Sequence, residues 1–407
     1  MATDIKDNAH GVEAAAVMRL LPARPCLLAV GEPTHREDTL LDLRNDLFRQ
    51  LVEQEGYRTI AIESDCMMGL LVDDYVTSAS AALGEDEVLE RGFSHDWGNL
   101  AGNRELVRRM RAYNDGRPAA EQVRFAGVDG PLEITGAASP RQALIALHHY
   151  LAAPARVDSD LLPCTAETLD RLLGADERWT DPAAMTDPAR SVGASSEVGE
   201  LRLLADDLVT LLEVRTPQLI AATSREDWER ARLYGRTATG LLRYHAAMAD
   251  TSPSRMTRLL SLRDRMMADN LLALAERGPA FVYAHNSHLQ REKSTMSMWD
   301  HPLLEWWSAG AMVSARLGAE YAFLATALGT IRHRGVDTPP ADTIEGLLYA
   351  LPQDRCVVDA SRLAAALGGT RPAPRISPWF GYSALDPAHL ADTDGIVFVK
   401  DVRQGRS

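Results

Sequence analysis

Short apolar runs punctuate this chain, and longer segments with helical spacing separate them. Seven runs read as strands: residues 26–30, 59–62, 123–128, 280–284, 321–327, 356–358 and 396–399. Between the first two, Leu40, Leu43, Leu47 and Leu51, with Phe48 and Val52 beside them, recur every three or four positions. That spacing predicts a crossover helix over residues 40–55. Alternation of this kind predicts an α/β fold, with a mostly parallel central sheet flanked by helices.

The middle of the chain breaks the alternation. From residue 140 to residue 276 the pattern is helical throughout, with helices expected over 200–213, 228–248 and 254–276. Residues 180–199, rich in Asp, Pro, Ala and Ser, read as an exposed loop. The chain therefore divides into a first part of an α/β core (1–139), a large helical insertion lobe (140–276) and a second part of the core (277–407). The lobe is expected to form a cleft with the sheet. No internal repeat or low-complexity tract interrupts this plan.

Four of the strand-like runs end in chemistry. The first leads into Gly31-Glu32-Pro33-Thr34-His35, the second into Glu63, the third into Asp129 and the fourth into His285-Asn286-Ser287-His288. In an open parallel sheet, ligands bind in the crevice outside the carboxyl ends of the strands, so these groups are expected to converge. A histidine base needs a partner on its second ring nitrogen, and Glu32, three residues before His35, is placed to supply one. Histidines and carboxylates at one crevice serve either proton transfer or metal binding. A pair of histidines with Glu32 or Glu63 could hold zinc with one open position, although the helical His-Glu-x-x-His signature is missing. Arg44, on the first crossover helix, reads either as a charge for an oxyanion or as a solvated helix-face residue. Trp97 and Asn103 fall in a polar-aromatic stretch that either lines a pocket or caps the helix after it. His148, His149, His245, His301, His333 and His389 read as surface or structural residues.

Composition narrows the function classes. The formal net charge is -14, and the arginines are scattered, so neither nucleic acid nor a membrane surface is an expected partner. Lys6, Lys293 and Lys400 are the three lysines, which leaves few candidates for Schiff-base chemistry. The four cysteines show no metal spacing and no disulfide framework, which fits a reducing cytoplasm. No signal peptide or transmembrane span is apparent. Gly-x-Ser-x-Gly, a phosphate-binding loop and a dinucleotide fingerprint are all missing, which disfavours serine-nucleophile chemistry and nucleotide cofactors. Activation of water or of a substrate hydroxyl by a base remains.

Read together, these motifs resemble the erythromycin esterase family. The matching pieces, in the family's order, are Gly31-Glu32-Pro33-Thr34-His35 with Arg44, Ala61-Ile62-Glu63, residues 97–114, Phe125 to Asp129, residues 263–270 and Ala284-His285-Asn286-Ser287-His288. The resemblance runs from about residue 25 to residue 400. It implies a hydrolase that activates water against an ester or macrolactone of a natural product, with no cofactor and no metal. His35 would be the base, Glu32 and Glu63 its carboxylates, and Arg44 and His285 further catalytic groups. His288, Asp129, Trp97 and Asn103 would contact substrate. The chain departs from the pattern at Arg36, where a smaller or apolar residue is common, and at Tyr283, where tryptophan is common. Two other functions stand beside it: a biosynthetic enzyme that uses the same base for cyclisation, elimination or group transfer, and a non-catalytic ligand-sequestering protein on a disused enzyme fold.

Overall fold

The computed structural model describes residues 8–78, 83–133, 136–297 and 303–404; His301 lies outside them. All seven expected strands form, within an eight-stranded sheet. In chain order the strands of the structure are β1 (Ala9–His10), β2 (Leu27–Glu32), β3 (Thr59–Asp65), β4 (Arg124–Asp129), β5 (Leu132–Glu133), β6 (Gly136–Ala137), β7 (Ala280–His285), β8 (Lys293–Met296), β9 (Leu304–Trp307), β10 (Tyr321–Thr330), β11 (Arg355–Asp359) and β12 (Gly395–Asp401). The sheet order is β1-β11-β12-β10-β2-β7-β3-β4, while β5 with β6 and β8 with β9 make small antiparallel pairs. The central ladders β12–β10, β10–β2, β2–β7 and β7–β3 are parallel, and β11 and β1 close one edge antiparallel.

The buried character of the central strands follows from their residues. Every position of β2 and β10 is buried, because helices cover both faces of a parallel sheet. The helix Asp38–Gln54 buries Leu40, Leu43, Leu47 and Leu51, as its spacing predicts, against a core that includes Leu28, Val30, Ile60, Ile62 and Phe281. The same helix carries the chain from β2 to β3 and leaves a gap between them. β7 fills that gap after the entire middle of the chain has intervened.

The chain separates into two compact units. One comprises Met1–Glu63, Met68–Gly127 and Leu271–Ser407; the other comprises Ser64–Met67 and Val128–Asn270. The second unit is helical, built on Arg141–Ala152, Ala166–Leu173, Ser196–Val214, Arg225–Met248 and Arg255–Ala275. Residues 180–199, expected as an exposed loop, instead wind into three single turns of 3-10 helix, Pro182–Met185, Pro188–Arg190 and Val192–Ala194. Asp181, Asp187 and Ser191 accept the first free N–H of each turn, and Ala184 and Met185 are buried. Aspartate and proline mark loops in sequence, yet they also cap and start helical turns.

Cys26, Cys66, Cys164 and Cys356 are all unpaired. No helix among the described residues is long and apolar enough to cross a membrane.

Candidate active site

Sheet order alone brings three strand ends together. β7 lies between β2 and β3, with Glu32 directly opposite His285 and Ile62 opposite Tyr283. Glu32, Glu63 and His285 therefore converge although up to 253 positions separate them in the chain. His35 follows β2 in a tight loop, and its Nδ1 stands 2.7 Å from Glu32 Oε1. An ionised carboxylate can only accept, so in the neutral ring the proton resides on Nδ1 and the Nε2 lone pair is free. Nε2 lies 4.0 Å from Glu63 Oε1, beyond direct hydrogen-bond reach. The His35 side chain keeps 37% of its surface open, while each glutamate side chain keeps 4%. Partial removal from water disfavours the charged ring. The Glu63 charge, then the Glu32 hydrogen bond and charge, outweigh that against a smaller opposition from His288, and the His35 pKa rises above its ordinary value.

Glu63 is shared. Its Oε2 accepts the backbone N–H of His285 at 2.7 Å, and its Oε1 lies 3.3 Å from His288 Nε2. The ring of His285 sits 5.2 Å from that of His35. Its Nδ1 accepts the Ser287 N–H at 3.2 Å and lies 2.7 Å from Ser287 Oγ, so the proton belongs on Nε2, towards the Pro33 carbonyl. Desolvation first, then repulsion from His35, pushes its pKa down to about 3. His285 is thus a neutral imidazole with both nitrogens engaged. Expected as a further catalytic group, it has its Nδ1 taken up by Ser287.

Arg44 is neither a solvated helix-face residue nor a group open to substrate. It is 2% exposed, and its Nε and Nη2 donate to Asn45 Oδ1 at 3.1 and 2.8 Å. Its guanidinium lies 5.4 Å from the Tyr283 ring centroid. Burial lowers its pKa, against opposition from Tyr283, Glu32 and Asp42. Arginine nevertheless stays charged in proteins, so Arg44 is a fixed cation that supports Glu32. Tyr283, the first departure from the family pattern, is buried beside the same carboxylate. Burial, reinforced by the Glu32 charge, holds its phenol well above the usual tyrosine range despite Arg44. A cavity of about 10 Å³ among Glu32, Arg44, Trp97, Asn103 and Tyr283 has roughly the size of one water molecule.

Trp97 is 8% exposed, with its ring centroid 5.2 Å from that of His35. Three backbone positions bend to place it. Arg36, the second departure, has φ 68°, and His95 and Asp96 have φ 58° and 57°, all in the left-handed region that non-glycine residues seldom occupy. Arg36 Nη2 donates to the His95 carbonyl at 2.7 Å and ties the two bent loops together. Strain held in this way clusters at functional sites. Asn103, expected to contact substrate, is 1% exposed and donates to the Trp97 carbonyl at 3.0 Å. It positions Trp97.

Asp129 belongs to the helical unit and is completely buried. Arg263 occupies its carboxylate through Nη2 at 2.6 Å and Nε at 3.2 Å, and Gly130 N–H donates to it at 2.8 Å. No atom of Asp129 is left open to a substrate. His245 and His148 each donate through Nε2 to a backbone carbonyl, of Ala138 and Cys164, consistent with structural roles.

Two residues escaped the sequence reading. Asn286 inserts its amide between β2 and β10: Nδ2 donates to the Thr326 carbonyl at 2.9 Å and Oδ1 accepts the Thr326 N–H at 3.1 Å. The insertion pries the two strands apart at their carboxyl ends, beside the loop that carries His35. Gly31 makes room for it. The other is Ser287, which sets the His285 tautomer. Both lie inside motifs visible in the sequence, but nothing local distinguishes them from ordinary loop residues.

Among the described residues no group of three or more His, Cys, Asp or Glu side chains is arranged to hold a metal ion. Within the site His35 pairs with Glu32, and the His285 N–H with Glu63.

The chain resembles a structural-genomics protein from Bacillus cereus (TM-score 0.72, 16% identity, 99% of this chain and 98% of that chain). It also resembles a succinoglycan biosynthesis protein (TM-score 0.69, 15% identity, 98% and 96%). A third likeness is to a histidine-to-asparagine mutant of the erythromycin esterase EreC in its open conformation (TM-score 0.65, 18% identity, 95% and 92%). At such identities these likenesses concern the fold alone. No curated protein matches the sequence. The sequence profile of the erythromycin esterase family matches residues 52–402, a stretch that begins after Glu32 and His35 but includes Glu63, His285 and His288. That match covers most of the chain, which therefore belongs to the erythromycin esterase family and shares its hydrolase-like character.

Proposed function

We propose that this protein hydrolyses an ester or lactone of a small-molecule natural product, with His35 as the general base. The observation that carries this reading is the 2.7 Å contact between His35 Nδ1 and Glu32, which leaves Nε2 unprotonated on a ring open to solvent. Nε2 takes a proton from water as the water oxygen attacks the carbonyl carbon. The imidazolium so formed stands between two carboxylates, Glu32 in contact and Glu63 at 4.0 Å, whose charges stabilise it. Arg44 and Tyr283 are buried beside Glu32, the arginine as a nearby positive charge, and the Trp97 ring lies tilted 5.2 Å from that of His35. On collapse of the tetrahedral intermediate the proton passes from Nε2 to the leaving oxygen. The step draws on no metal or cofactor. A net charge of -14 suits a neutral or cationic small molecule better than a polyanion, and four unpaired thiols suit a reducing compartment.

The test is a screen of macrolides and simpler lactones in ¹⁸O-labelled water, read by mass. Wild type should incorporate one labelled oxygen, and His35→Ala should lose roughly 10²–10⁴ in kcat with its fold intact. Turnover with loss of water, or full activity in the variant, refutes the proposal.

A further inference from the structure

The same unit contains a cavity of about 290 Å³ that no step above employs. Phe323 and Ala325 of β10 and Ile396 of β12 give it an apolar side, with Ala325 and Ile396 paired across the ladder. Ser287, Gln290, Thr295, Ser383 and Thr393 give it hydroxyls and an amide. Lys293, 3.7 Å from Glu305, and Asp386, which accepts the Ala388 N–H at 2.8 Å, add one cation and one anion to the lining, and His389 adds an imidazole. The cavity thus offers a ligand hydrogen-bonding groups opposite strand surface, with one charge of each sign at its wall.

Three rigid links join this cavity to the catalytic loops. Ser287 Oγ lies 2.7 Å from His285 Nδ1, Asn286 is pinned at both ends of its amide to Thr326, and Ser383 N–H donates to the Pro33 carbonyl at 2.8 Å, two residues before His35. Small-molecule pockets span roughly 300–1,000 Å³, so about 290 Å³ accommodates one ring and not a whole macrocycle. We infer that this cavity is a subsite for a neutral, hydroxyl-bearing ring of the sugar class. Its hydroxyl edge faces the serines, threonines and Gln290, and its C–H face lies on the strands. The links to His285 and Pro33 make that ring a substituent of the ester that His35 attacks, an assignment that rests on the hydrolase reading.

The probes are methyl pyranosides of glucose, galactose, mannose and rhamnose, followed by saturation-transfer NMR on the full chain. A fragment of this size binds with a Kd on the order of millimolar. At least one probe should bind wild type and His35→Ala alike, and Thr295→Trp, which fills the cavity from an exposed strand position, should weaken it by about tenfold. Absence of binding up to ~50 mM, or equal binding by Thr295→Trp, overturns the subsite. A second arm compares kcat/KM on an acetate of the bound pyranoside with that on 4-nitrophenyl acetate. Thr295→Trp should shift the ratio by about tenfold against the sugar ester. An unchanged ratio with the pyranoside still bound means that the ring is a free ligand, and overturns its assignment as a substituent. If wild type cleaves neither ester nor any lactone, the hydrolase reading falls while the binding arm still decides the subsite.

Discussion

The side-chain oxygen of Asn286 stands 2.1 Å from where a Cβ on residue 31 would lie, so the wedge between β2 and β10 exists only because residue 31 is glycine. The Asn286 backbone is also too close for a Cβ, with its Cα at 2.9 Å from that point. Rotation of the amide alone would therefore not relieve the collision.

Gly31→Ala should destabilise the protein by roughly 1–3 kcal/mol, the usual cost of overpacking. It should also cut activity, because the turn bearing His285 and His288 loses its anchor on Thr326. Urea titration of Gly31→Ala, Asn286→Gly and the double variant checks this. Stability should be partly recovered in the double variant while kcat is not, and strict additivity of the two stability losses would contradict the steric account.

The two glutamates should separate by kinetics. Glu32→Gln can present an amide N–H to His35 Nδ1, driving the proton to Nε2 and removing the base, so kcat should fall by about 10²–10⁴ at every pH. Glu63→Gln leaves the tautomer alone and removes the charge that raises the His35 pKa most. His35 acts only when neutral, so in wild type kcat/KM should fall on the acid side with a midpoint above the ordinary 6.5. In Glu63→Gln that midpoint should move to lower pH. A pH profile of each variant decides between these roles.

His35 and His285 should pull stability in opposite directions. The folded His285 pKa of about 3 lies below the unfolded value of 6.5, so only the unfolded chain takes up a proton between them. Stability conferred by this residue is full above 6.5 and drains as pH falls towards 3, at about 1.4 kcal/mol per unit. His35 has a raised folded pKa; its contribution is full below 6.5 and is lost as pH rises through the folded value. Unfolding free energies measured from pH 8 to pH 4 should show a shallower acid-side loss for His285→Asn and a steeper one for His35→Asn. Parallel curves for all three proteins would contradict the assignment.

Asp129→Ala should act on stability and not on substrate affinity. Removing one partner of a buried ion pair costs roughly 3–5 kcal/mol, because Arg263 is left without its carboxylate. Thermal unfolding should drop accordingly while KM, measured where the variant is folded, stays close to wild type. A raised KM at unchanged stability would return Asp129 to the substrate-contacting role expected from the sequence.

Strand and helix positions were readable because their signals are local. An apolar run such as Leu27–Val30, or leucines every three or four residues from Leu40 to Leu51, reports its own burial within a few residues. The polar residues at the ends of those runs were readable for the same reason, and His35, Glu32, Glu63, His285 and His288 do gather at the ends of β2, β3 and β7. Local pattern could not assign what those ends do to one another.

Long-range packing decided the remainder. The sequence by itself determined an α/β sheet with a helical insertion and a histidine–carboxylate rim. The tertiary structure alone decided that Arg44 turns inward against Tyr283, that Asp129 is spent on Arg263 within the helical unit, that Asn103 holds Trp97, and that Asn286 fills the space left by Gly31. Whether a polar side chain meets solvent, a counter-ion or a backbone amide depends on residues tens to hundreds of positions away. Desolvation and pairing energies, which set the protonation of His35 and His285, are properties of those neighbours and leave no mark in the residue's own vicinity along the chain.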